Sequence, residues 1–154
     1  MASPGIDITQ LYAPQFEQFG LTLRSRGAVF TGDVDNEVGA GRAWIMPLSD
    51  SCLVMEHFIT PRHDMQLSEF TPVPYACVTE VSASTLACMP EAGIRPANLT
   101  PARGPWPESC VCSFIRDTCG EELSPLVAGS MYHSRSVLFL PSYFEELERS
   151  YAGE

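Results

Sequence analysis

The chain has 154 residues, 45% of them hydrophobic, and a formal net charge of −10 from nineteen acids set against nine arginines and no lysine. That length and apolar content suit one domain with an ordinary core and argue against intrinsic disorder. Scattered arginines without a basic face exclude duplex DNA binding by this segment, since counterion release needs clustered positive charge. No window approaches the roughly eighteen uninterrupted apolar residues of a membrane span. The opening MASPGIDITQ lacks the positive and apolar regions of a signal peptide, so the expected address is cytoplasmic.

Residues 1–19 read as an arm too apolar to be a loose tail, with Ile6, Ile8, Leu11, Tyr12, Phe16 and Phe19. Short strand-like runs separated by turn signals follow, the pattern of an all-β protein. Residues 20–30 are predicted as one strand, closed by an acidic turn over 31–41; strands over 42–48 and 52–59 come next, with Ser49 and Asp50 between them. In 52–59 both alternating sets are apolar, Leu53, Met55 and Ile59 against Cys52, Val54 and Phe58, which predicts cover on both faces. Residues 64–70 alternate polar and apolar like a half-exposed strand, and 75–81 and 110–115 read as further strands. Residues 84–108 carry five prolines and scattered apolar side chains, the composition of a long lid or binding loop.

The last twenty-six residues are the most informative. A glycine turn at Gly129 leads into an apolar run over 136–140, and Pro141 stops the strand. Ser142 and Glu145 have capping-box spacing, Glu145 and Glu146 fall in an expected first turn, and Arg149 suits the far end of the helix dipole. Tyr143, Phe144, Leu147 and Tyr151 form an apolar stripe on that helix, which is expected to serve self-association. The chain stops where this helix should lead onward, the pattern of a domain separated from a second one.

Several polar groupings suggest chemistry, each with a plainer reading. Glu56, His57, Arg62, His63, Asp64 and Glu69 resemble a cupin metal site in ingredients, but no His-x-His pair is present and His57 and His63 stand six apart. Cys110 and Cys112 share a strand face without a second zinc pair, and the six cysteines read as reduced thiols, several of them in the core. Asp33, Asp35 and Glu37 lack the closing glutamate of a calcium loop, and Gly39-Ala40-Gly41 is a lone Gly-x-Gly. No metal, cofactor or catalytic residue is therefore expected. Trp44, Met55, His57, Arg62, His63, Tyr75, Tyr132 and His133 are the candidates for holding a small molecule, as aromatic walls, hydrogen-bonding tips and a cation for a carboxylate or phosphate.

The segments AWIMPLSD (43–50), 52–59 and above all GSMYHSRS (129–136) running into FLPSYFEEL (139–147) resemble the N-terminal sensor domain of AraC-family bacterial transcriptional regulators. The likeness covers about half of the chain, and the arginine-rich, lysine-free composition suits a GC-rich bacterial genome. The resemblance implies a mainly β fold, a double-layered cupin-like barrel over 1–140, with a C-terminal helix over 141–154 that mediates homodimer formation. It further implies a small-molecule effector in the barrel and DNA contact only through a helix-turn-helix domain absent from this chain. The alternatives are a small metal-dependent cupin enzyme using His57, His63 and Glu56 or Glu69, and a free-standing binding module.

Overall fold

The computed structural model describes residues 7–82, 100–101 and 109–152, with backbone alone at 100–101 and 109–110. In chain order these form a 3-10 turn at Ile8–Gln10, helix α1 (Ala13–Glu17), strands β1 (Arg24–Arg26), β2 (Val29–Asp35), β3 (Gly39–Ser49), β4 (Cys52–Pro61), β5 (Met65–Thr71) and β6 (Tyr75–Ser82), then β7 (Thr100–Pro101), β8 (Ser109–Arg116), β9 (Gly120–Leu126), β10 (Tyr132–Phe139) and helix α2 (Pro141–Tyr151). The fold is mainly β. An eight-stranded sheet runs β1-β2-β3-β4-β10-β6-β8-β7, a second pairs β5 with β9, and every ladder is antiparallel. No ladder joins the two sheets into a closed barrel among the described residues.

The core lies between these two layers. Ala43, Ile45, Leu53, Met55, Ile59 and Leu138 of the large sheet meet Leu67 and Leu126 of the small one. The arm completes the cluster with Ile8, Leu11, Phe16 and Phe19. Burying each such aliphatic or aromatic side chain stabilises the fold by about 1.5–3 kcal/mol before entropy is counted. Helix α1 is fixed to β5 by one amide: Gln18 Nε2 donates to the Ser68 carbonyl at 2.7 Å, and Ser68 N donates to Gln18 Oε1 at 2.8 Å.

Four expectations need correction. Residues 20–30 are not one strand, because Gly27 at φ 67° turns the chain from β1 into β2. The acidic stretch is largely β2, with Asp33 and Asp35 exposed around buried Val34, and the true turn is organised by Asn36, whose Oδ1 accepts from Val38 N at 2.8 Å and Gly39 N at 3.0 Å. Strand β4 is fully covered on one face only: Leu53, Met55 and Ile59 are buried, while on the other face Cys52 is buried, Val54 half-buried and Phe58 exposed, because the second layer packs against a single side of the large sheet. Helix α2 begins at Pro141 behind Leu140, with no side-chain cap and no acid in its first turn. Proline presets the first helical φ and has no N–H to satisfy, so the Ser142–Glu145 capping box is not needed and does not form. Arg149 does sit in the last turn.

Candidate functional site

Strand alternation decides what faces the space between the layers. On β4 it turns His57 inward; on β10, Tyr132, Ser134 and Ser136; on β6, Tyr75, Cys77 and Thr79. The register sets Ser134 beside His57 and Ser136 beside Thr79. Small hydroxylated side chains here leave room where Leu53 and Leu138 fill the neighbouring layer. The result is a pocket with a free volume of about 80 Å³, walled on the other sides by the arm, β5 and the end of β8. At roughly 10–15 Å³ per water-sized group, it has space for about six such groups.

The hydroxyls satisfy one another. Thr79 Oγ1 and Ser136 Oγ are 2.8 Å apart, and Ser134 Oγ lies 3.3 Å from His57 Nδ1. His57 stacks on Tyr132 at 4.2 Å and meets the edge of Phe16 at 5.7 Å. Burial, followed by the nearby His133, pushes its pKa down to about 3, so the ring is neutral at ordinary pH. So weak a base cannot draw a proton from Ser134. Burial also pushes the Cys77 thiol up to about 12, which leaves it protonated and inert. His57 and Cys77 thus offer the pocket hydrogen bonds rather than a base or a thiolate.

One carboxylate enters this space. Tyr132 Oη donates to Glu69 Oε1 at 3.1 Å. Burial raises the Glu69 pKa, opposed by that hydrogen bond and by the charge of Arg116. Arg116 itself is ion-paired with Glu122 and lies 5.8 Å over the Phe114 ring.

The pocket thus brings together His57, Tyr75 and Tyr132 from the sequence candidates. The others lie elsewhere. Trp44 is on the outer face of the large sheet and donates to Glu56 Oε2 at 3.2 Å. Met55 is fully buried in the core. Arg62 is exposed and bonds Asp35 Oδ1 at 2.5 Å and the Asn36 carbonyl at 2.6 Å, and His63 is exposed in the turn after β4. His133, buried on the outer side, stands 3.6 Å from Glu56 Oε1 and 5.4 Å from the Phe58 ring. Successive residues of a strand point opposite ways, which separates Glu56 from His57 and Tyr132 from His133. The grouping of His57 and His63 with Glu56 or Glu69 is accordingly not assembled, and no metal-capable cluster of three or more His, Cys, Asp or Glu forms among the described residues.

Sequence reasoning missed Tyr12, Gln15, Phe114 and Arg116 as pocket residues and saw Glu69 only as a possible metal ligand. A usable signal existed: Thr79, Ser134 and Ser136 place small polar groups on the inward beat of otherwise apolar strands. The proline-rich stretch 84–108, read as a lid, lies almost wholly outside the described residues. Cys52, Cys77 and Cys112 are buried free thiols and Cys119 is an exposed one. No described helix is long and apolar enough to cross a membrane.

Helix α2 follows β10 directly and buries none of its residues. Tyr143 leans on Phe139 at 4.9 Å, while Phe144, Leu147 and Tyr151 remain 44%, 43% and 70% exposed. The helix is tethered at its start, where Leu140 N donates to the Ser51 carbonyl at 2.8 Å.

No protein-family model, curated protein or solved structure matches this chain.

Proposed function

We propose that this chain is the effector-sensing and dimerisation domain of an AraC-type transcriptional regulator, acting in the cytoplasm of a bacterium. The observation that carries the reading is the continuity of β10 with α2: one strand contributes Tyr132, Ser134 and Ser136 to the pocket and passes within a residue into a helix with an unburied apolar stripe. A small molecule in the pocket would contact β10 on its inner face and bias the position from which the helix departs. Pairing of two such helices, through Phe144, Leu147 and Tyr151 with Tyr143 at the base, would carry that bias to an attached DNA reader.

Comparison of DNA binding by this segment and by its full gene product tests the proposal. The net charge of −10 leaves the segment without duplex affinity at physiological salt. The full product should bind salt-dependently through two helix-turn-helix units encoded downstream of the helix. Submicromolar binding by the segment itself, or a full product with neither those units nor DNA affinity, contradicts it.

A further inference from the structure

The pocket holds an unmatched hydrogen-bond acceptor, and this bears on what can occupy it. Gln15 is only 6% exposed, lines the pocket, and its Oε1 has no hydrogen-bond partner among the described residues. A buried amide oxygen left without a donor costs about 1–3 kcal/mol, so an occupant that supplies N–H groups is favoured there. Glu69 points into the same space, and none of the ion pairs among the described residues includes it.

The charges around Glu69 come from every side. Arg116 on β8 faces it but is engaged by Glu122 on β9, so that pair is neutral together. From β10 the Tyr132 hydroxyl donates to Glu69 Oε1, and from β9 the Ser124 hydroxyl favours the ionised carboxyl. Tyr12 and Tyr75 are protonated phenols, held above their ordinary values chiefly by burial. His57 is neutral. With Glu69 ionised, the pocket therefore carries one net negative charge, enclosed by the rings of Tyr12, Tyr75, Phe114 and Tyr132. Aromatic faces around a carboxylate make a cation site, since the ring quadrupoles and the carboxylate attract the same positive group.

The geometry points to a small organic ammonium as the occupant, its N–H groups on Glu69 and Gln15 and its carbon skeleton against the rings. This rests on the sensor reading given above and names the effector class. The free volume of about 80 Å³ confines it to a few heavy atoms, about the size of a four-carbon amine. A carboxylate ligand would meet Glu69 with Arg116 already engaged by Glu122, and a neutral alcohol would donate one hydrogen bond without bringing a countercharge.

The test titrates the full chain calorimetrically with n-butylammonium, n-butanol and butyrate, probes of matched size that differ in charge. Saturable binding of the ammonium alone is expected, weakened about tenfold or more by Glu69→Gln, as loss of a charge-assisted partner implies. Wild-type protein gives an independent readout should that variant not fold. The probe stays charged as a lysine-like amine, so its affinity should rise with pH as Glu69 ionises. Equal or tighter binding of butanol or butyrate, unchanged affinity in folded Glu69→Gln, a flat pH profile, or no heat with the ammonium at about 10 mM, well above effector-like Kd values, overturns the assignment. Butyrate binding would do so while leaving a ligand pocket in place. A chain that stays monomeric at all concentrations would instead contradict the sensor reading, whichever probe binds.

Discussion

Tyr132→Phe removes one oxygen from the centre of the pocket and changes almost nothing else. The ring keeps its 4.2 Å stack on His57 and its 6.0 Å contact with Phe19, so no cavity larger than a hydroxyl forms. What is lost is the 3.1 Å hydrogen bond to Glu69 Oε1. A carboxylate stripped of a partner in a desolvated setting costs about 1–3 kcal/mol. The loss should depend on pH, with a definite sign. Burial already holds the Glu69 pKa above its value of 4.5. An acid with a raised folded pKa binds more protons folded than unfolded within that window, so stability falls as pH rises through it. The Tyr132 bond favours the ionised form and limits that fall. Without it the folded pKa rises further and the penalty at neutral pH grows, while at pH near 4, with Glu69 mostly protonated in both states, the difference should shrink to about 1 kcal/mol or less. Urea unfolding of both proteins from about pH 4 to about pH 8 reads the difference directly. An equal loss at every pH, or a neutral-pH loss below about 0.5 kcal/mol, would refute the burial and pairing assigned to Glu69.

Gly41→Ala should destabilise by about 2 kcal/mol or more in urea titration, because a Cβ there would stand 2.0 Å from the Phe58 carbonyl oxygen and the adjacent β4 backbone would have to shift; an unchanged midpoint would contradict the β3–β4 approach. With a thiol reagent under native conditions, Cys119 should react first among the four described thiols and Cys119→Ser should lower the fast phase by one thiol, since Cys52, Cys77 and Cys112 are buried. After denaturation without oxidant all six thiols should titrate, and recovery of four or fewer would overturn their assignment as reduced.

The strands that alternate cleanly, such as β5 and β6, were legible almost to the residue, because period-2 patterning carries its own register. Strand β9 was not. Glu121, Glu122 and Pro125 break any apolar alternation there, yet β9 pairs with β5 alone among the described residues, an edge position where a missing N–H and exposed charges are tolerated. The helix was placed correctly but its start was misread, since Pro141 acts as the first helical residue rather than as a gap before a serine cap. For the pocket, aromatic and histidine identity was a poor guide. Trp44 and His133 are as suited to ligands as Tyr75 and His57, and only strand parity sends one pair outward and the other inward. Glu69 and Arg116 lie on strands far apart in sequence, and their meeting is a product of the two-layer packing that no local pattern encodes.

The central claim is that the apolar stripe of α2 joins two copies of this chain. Sedimentation of the wild type against a Leu147→Ser, Tyr151→Ser variant addresses it most directly, because both side chains are exposed and neither supports the core. The account predicts a wild-type dimer that becomes a monomer in the variant with its thermal stability largely kept. A wild type that is monomeric throughout, or a variant that unfolds instead of dissociating, would contradict it.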